Sequence, residues 1–166
     1  LTEALIAKQL LGKGSVVVNV TSGGGYNVPL MTGTMNVTDP KRYNGTVAYG
    51  FHKRAQMVLN QYWRNAYGAL GIDFFVMHPG WADTAGVQRS LPRFRKILKS
   101  ILRDAKSGAD TAIWLAAERP SQPEEELVWF DRAVRTAHVY PHTRATRETP
   151  QSLVAWLEAE LARGPR

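Results

Sequence analysis

Ser15-Val16-Val17-Val18-Asn19-Val20-Thr21-Ser22, running into Gly23-Gly24-Gly25, decides the fold. A continuous β-branched run of this kind reads as a strand buried on both faces, the habit of parallel sheets. A second apolar run, Ile72-Asp73-Phe74-Phe75-Val76-Met77, ends in His78-Pro79-Gly80. Between the two, apolar residues at 47, 51, 55, 58, 59 and 62, closed by Gly68 and Gly71, predict a helix over 47–67. Strand, helix, strand implies a parallel crossover unit. Ligands in such sheets bind beyond the carboxyl ends of the strands. Ser22 and the run Pro79 to Thr84 both fall there.

Outward from this unit the chain is simple. Leu1 to Leu11 has helical spacing and is stopped by Gly12-Lys13-Gly14. Gly23 to Thr46 is a long irregular stretch with a turn signal at Asp39-Pro40, and it borders the expected substrate mouth. Leu91 to Arg103 is a basic amphipathic helix, read first as a surface helix with a solvated charged face and, as a minor alternative, as a membrane contact. Gly108 to Glu118 is another helix, 120–126 a linker, and Leu127 to Phe130 the last strand. Residues 132–149 turn polar and basic and read as an extended tail. Pro150 to Arg163 closes the chain as a helix with Leu153, Trp156, Leu157 and Leu161 on one face. Three strands leave the serine strand with an unpaired edge.

Composition narrows the classes. At 166 residues and 44% hydrophobic content, one globular domain is expected. The absence of cysteine excludes a disulfide framework and thiolate zinc sites. No run reaches the roughly eighteen apolar residues of a membrane span. No signal peptide is visible, and the expected location is cytoplasmic. The net charge of +7 is dispersed and carries no arginine-aromatic stripe, so nucleic acid is not expected as a partner. His138 and His142 have the spacing of a helical metal pair, but Pro141 between them breaks the helix, and no metal is expected.

The chemistry concentrates at Tyr49-Gly50-Phe51-His52-Lys53. Tyrosine and lysine four apart on a helix lie one turn apart on one face. A phenol normally titrates near ~10. A cation one turn away favours the phenolate. A Ser22 hydroxyl beside them would hydrogen-bond the same substrate oxygen, giving a proton-transfer site for a carbonyl/alcohol couple. The Tyr-x-x-x-Lys spacing alone is ordinary; the ordered set of Ser22, Tyr49, Lys53 and Pro79-Gly80 carries the reading.

On these residues the chain resembles the classical short-chain dehydrogenases/reductases from Leu1 to about Asp131, and within them the retinol-dehydrogenase-like branch. The shared marks are Asn19-Val20-Thr21-Ser22, Tyr49 with Lys53, the His78-Pro79-Gly80-Trp81-Ala82-Asp83-Thr84 run, a long insert between serine and tyrosine, and the Gly108 to Thr111 helix start. The resemblance implies the carboxyl-terminal part of a doubly wound, Rossmann-like α/β domain over 1–166, with 132–166 as tail and closing helix. It implies NAD or NADP as cofactor and an alcohol or carbonyl substrate of lipophilic character. It implies Ser22, Tyr49 and Lys53 as catalytic residues. Tyr49, Lys53, Pro79, Gly80, Ala82 and Thr84 would contact the cofactor, the 91–103 helix would lie over the substrate, and the helix carrying Tyr49 would form a homodimer.

The family's other half-site is missing. No Gly-x-x-x-Gly-x-Gly follows an early strand, and the family's catalytic asparagine would lie just upstream of Leu1. The first strands and the Gly-rich loop are therefore expected outside this chain, and the chain alone is expected to be inactive. Two rivals stand beside the reductase: a non-catalytic oligomerisation module, and a serine hydrolase using Ser22, a histidine and Asp83. The hydrolase lacks its Gly-x-Ser-x-Gly turn, because residue 20 is valine.

Overall fold

The computed structural model describes residues 1–83, 102–125 and 127–164. It is an α/β fold built on a four-stranded, mostly parallel sheet, part of a Rossmann-like domain. The strands are β1 (Val16–Val20), β2 (Asp73–Met77), β3 (Leu127–Phe130) and β4 (Ala133–Thr136), in that spatial order. β1 and β2 pair in parallel, with Val16 opposite Asp73 and Val20 opposite Met77. β2 and β3 are parallel, with Met77 opposite Trp129. The helices among the described residues are α1 (Thr2–Ala7), α2 (Gly45–Tyr67), α3 (Ala105–Glu118) and α4 (Pro150–Arg163).

Side-chain alternation along β2 explains the layers. Phe75 and Met77 pack on one face with Leu115 and Ala112 of α3 and with Leu127 and Trp129 of β3. Val76 packs on the other face with Met57 of α2 and Val128, and Phe74 meets Trp63 of α2 at 6.2 Å. A strand covered on both faces needs apolar residues at every position, and Phe74 to Met77 are all buried. Outside α2 lies a second apolar layer, in which Leu153 of α4 joins Ala55, Val58, Leu30 and Met35. The layers therefore run α3, sheet, α2, α4. One polar pair crosses this interior: Asn19 Nδ2 of β1 donates to Asn60 Oδ1 of α2 at 2.8 Å.

Three local differences from the sequence expectation have physical causes. The first helix ends at Ala7 rather than Leu11; Gln9 turns to φ +57°, Leu10 is largely exposed, and Leu10 N and Leu11 N both turn back onto Leu5 O at 2.8 and 3.3 Å. α2 starts at Gly45, two residues early, because Asn44 Oδ1 caps it by accepting from Thr46 N and Val47 N at 3.0 and 3.2 Å. The stretch 132–149 is not an extended tail. It begins with β4, which pairs antiparallel to β3 across a two-residue turn, with Phe130 opposite Ala133. Both turn residues have positive φ, +49° at Asp131 and +55° at Arg132, the signature of a tight hairpin. Neither is glycine. The strained turn is held by a bidentate pair from Arg132 to Asp110 at 2.7 and 2.5 Å and by Arg132 N on Thr111 Oγ1 at 3.2 Å. The predicted helix over 91–103 lies, up to residue 101, outside the described residues, as does Thr84. Among the described residues no helix is long and apolar enough to cross a membrane, and no cluster of three or more His, Cys, Asp or Glu could hold a metal.

The turn after β1 is where sheet and helix touch most closely. Residues Gly23–Asn27 form a 3-10 turn lying on α2. A Cβ on Gly25 would sit 2.6 Å from Met57 Cε and 3.1 Å from both Arg54 N and Lys53 C. A Cβ on Gly23 would meet nothing within 4 Å. Gly25→Ala should therefore cost about 1–3 kcal/mol, the usual penalty of overpacking. Gly23→Ala should be close to neutral. Urea midpoints of the two variants check this, and equal midpoints would contradict the close approach.

Candidate functional site

The site forms at the carboxyl ends of β1 and β2. β1 delivers Thr21 and Ser22. Thr21 is buried and its Oγ1 donates to Lys53 O at 2.7 Å, which ties the strand end to α2. Ser22 is extended, half-buried, and caps the glycine turn: its Oγ accepts from Gly24 N at 3.3 Å. The turn then lies along Tyr49. A Cβ on Gly24 would be 3.5 Å from Tyr49 Cδ1 and Cε1, and one on Gly50 would be 3.4 Å from Gly24 O. Helix spacing puts Lys53 on the same face as Tyr49, with Nζ 5.5 Å from the Tyr49 ring centre. Ser22, Tyr49 and Lys53, separated in sequence by the long insert, thus share one wall.

The wall has an exposed half and an anchored half. Tyr49 is 49% exposed, comparable with Tyr43, Trp81 and Tyr140. Lys53 Nζ donates to Val20 O at 3.2 Å and to Gln56 Oε1 at 3.0 Å. Its partial burial lowers the ammonium's pKa from the ordinary lysine value. Gln56 was not singled out by sequence, although its position three residues past Lys53 is a usable signal.

Opposite this wall, β2 ends in the Pro79-Gly80 turn. Gly80 has φ +70°, and a Cβ there would meet the Arg103 guanidinium at 3.0 Å and the Phe130 ring at 3.1 Å. Glycine is required on both counts. Gly80 N donates to His78 Nδ1 at 3.2 Å. The His78 ring stacks on Phe130 at 4.3 Å and meets the half-buried Tyr26 edge-on at 5.4 Å. Burial holds the imidazole neutral, pushed down to about 4, with Arg103 adding to the effect and Asp131 opposing it. Burial likewise pushes the Tyr26 phenol up to about 12. Ala82 is buried against α3, where a Cβ on Gly108 would reach it at 2.9 Å. It also bridges to Arg103, with Arg103 N donating to Trp81 O and Asp83 N to Arg103 O at 2.9 and 2.8 Å.

Beside the Gly80 turn lies an open hollow of about 250 Å³ lined by His78, Gly80, Trp81, Arg103 and Phe130, with Gly23 its one lining residue from the turn after β1; Ser22, Tyr49 and Lys53 do not line it. Arg103 and Asp131 form a bidentate pair across its rim at 2.5 and 3.1 Å, which holds the Asp131 carboxyl below the ordinary range. Sequence offered no signal for this pair, since its members are 28 residues apart. Among the described residues no histidine hydrogen-bonds Ser22. The structure therefore puts Lys53 beside the Tyr49 ring and brings the glycine turn capped by Ser22 onto that ring, sets Pro79, Gly80 and Ala82 at the end of β2, and leaves Thr84 outside the described residues.

No protein-family model matches the chain. Among curated proteins it is similar to "Dehydrogenase/reductase SDR family member 12" of Bos taurus, with 36% identity over 153 residues, covering 89% of this chain and 46% of that protein. It is 33% identical over 147 residues to the Homo sapiens protein of the same name, covering 88% of this chain and 45% of that one. The chain thus spans about half the length of the curated relatives it matches.

The half-buried His78 has a consequence for acid stability. Its folded pKa lies below its unfolded value, so between about pH 6.5 and 4 the unfolded chain binds a proton that the folded chain refuses. Stability contributed by neutral His78 is complete above this window and falls as pH drops through it. After discounting for solvent screening, the slope should approach ~1 kcal/mol per pH unit. His78→Asn, which keeps an acceptor for Gly80 N, should flatten that part of the curve. Urea midpoints from pH 7 to 4 test this; parallel curves for the two proteins would contradict it.

Proposed function

Since the chain belongs to the short-chain dehydrogenase/reductase family, we propose that it carries the proton-transfer wall of an NAD(P)-dependent oxidoreductase interconverting an alcohol and a carbonyl. One observation carries this reading: the glycine turn after Ser22 lies on the Tyr49 ring, with the Lys53 ammonium 5.5 Å from the ring centre.

Tyr49 exchanges a proton with the substrate oxygen at its phenol oxygen, and its exposure leaves that oxygen accessible. Ser22 Oγ holds the same substrate oxygen. Lys53 favours negative charge developing on the phenol oxygen. Two of its three ammonium donors go to Val20 O and Gln56, and the third is suited to a ribose hydroxyl. The nicotinamide cofactor supplies the hydride chemistry. The residues present fit its nicotinamide end through the lysine, whose ammonium stands at the carboxyl end of β1 on Val20 O. Pro79, Gly80, Ala82 and Thr84 are the residues of this reading that would contact the cofactor, Thr84 lying outside the described residues. The aromatic lining of the hollow, His78, Trp81 and Phe130, supports a substrate with a lipophilic body. A serine hydrolase is disfavoured, since His78 Nδ1 accepts from Gly80 N rather than from Ser22.

Two outcomes follow. In the enzyme that joins this chain to a dinucleotide-binding half, Tyr49→Phe should lower turnover by ~10²–10⁴ while cofactor affinity changes little. Steady-state kinetics with a broad carbonyl panel check this, and near-normal kcat would refute the assignment.

Residues 1–166 alone should bind NADH and NADPH only weakly, because a pyrophosphate needs a glycine-rich turn at a helix amino terminus, and this chain has no Gly-x-x-x-Gly-x-Gly. Calorimetry giving micromolar binding to a monodisperse sample would contradict that division of labour.

A further inference from the structure

The segment after β4 grips the long insert between Ser22 and Tyr49. His142 Nε2 meets Asn27 O at 3.0 Å, and Thr146 Oγ1 donates to Leu30 O at 2.8 Å. Thr32 N donates to both carboxylate oxygens of Glu148 at 2.9 Å. α4 adds Asn36 Nδ2 on Glu160 Oε2 at 2.6 Å and packs Leu153 with Leu30 and Met35. The other side of the insert rests on α2. Gly24 lies on Tyr49, Gly25 on the Lys53–Arg54 peptide and Val28 on Gly50, while His52 Nε2 meets Met35 O at 2.9 Å. The insert is held between the helix that carries Tyr49 and Lys53 and the carboxyl-terminal segment. Of the bonds from that segment, the Glu148 carboxylate takes a main-chain N–H, and a charge-assisted bond of this kind outweighs a neutral one.

We propose that Glu148 is a positioning residue for the Ser22, Tyr49 and Lys53 set: by holding Thr32 it seats the insert on α2 and keeps Gly24 against the Tyr49 ring. This rests on reading those three residues as the reacting set. Glu148 touches none of them and acts through the insert alone. The bond asks only for an acceptor oxygen, so a glutamine, which keeps one, meets most of the requirement, whereas alanine meets none of it.

The test compares Glu148→Ala with Glu148→Gln in ¹³C-tyrosine-labelled protein. Amide exchange is followed over 26–36, and the Tyr49 ring resonances are identified by their loss in Tyr49→Phe. In Glu148→Ala, exchange at residues 32–36 should rise by at least ~10-fold, as loss of a charge-assisted bond predicts. The Tyr49 resonances should shift with it, and Glu148→Gln, which keeps an acceptor oxygen but not the charge, should restore most of both changes. Where hydride transfer is measured, Glu148→Ala should lower kcat several-fold at unchanged cofactor KM. Faster exchange with unmoved Tyr49 resonances would overturn the proposal, because Glu148 would then be a purely structural bond. If Glu148→Ala does not fold, Thr146→Val, which removes the bond to Leu30 O, should give the same Tyr49 shift at smaller size, and no shift there counts against the proposal. Absence of turnover in the unsubstituted protein bears on the reaction alone, and the Tyr49 resonances still decide the role of Glu148.

Discussion

Backbone meets backbone where Gly25 lies against the Lys53–Arg54 peptide of α2, and the surrounding geometry depends on that approach. A side chain at Gly25 would lever the turn away from the helix. The turn would then leave the Tyr49 ring, and the Thr21 hydroxyl would lose its place on Lys53 O. Tyr49 and Lys53 stand one turn apart because they share a helix. Ser22 stands with them because a glycine allows its turn to reach that helix. The site is in this sense a packing contact before it is a set of reactive groups.

The parts of the fold legible in sequence are those written in local pattern. The β-branched run ending at Ser22 announced β1 and the Phe74 to Met77 run announced β2, but only β2 is buried as such a run predicts; β1 stands at the end of the strand order, is half-buried from Val16 to Asn19 and leaves Val20 48% exposed. The spacing within α2 announced the helix and, with it, the one-turn relation of Tyr49 and Lys53. β4 was illegible for two reasons. Its turn, Asp131-Arg132, lacks the glycine that usually marks a tight hairpin, and Val134 to Thr136 are largely exposed, so no apolar alternation betrays them. What makes that turn tolerable is an ion pair to Asp110, contributed by a different element.

Long-range polar contacts were equally hidden. Arg54 reads as a solvated helix residue, yet it is 1% exposed, donates to Ala137 O at 2.6 Å and lies against the His138 ring. Charged side chains reach such positions only when partners await them, and those partners lie 83 and 84 residues downstream. The hollow beside the Gly80 turn is likewise a tertiary product, made from Gly23, the end of β2, Arg103 and the end of β3.

The distance of these contacts along the chain sets an order of events during biosynthesis. Arg54 waits for Ala137, and Thr32 waits for Glu148 across 116 residues. At about 5–20 residues per second, a ribosome finishes Thr32 roughly 6–23 seconds before it supplies Glu148. Closing loops of that size is slow compared with forming α2, whose hydrogen bonds are local. The nascent chain therefore displays Thr32 and Arg54 well before their partners exist, and the seating of the insert is among the last features of the domain to mature.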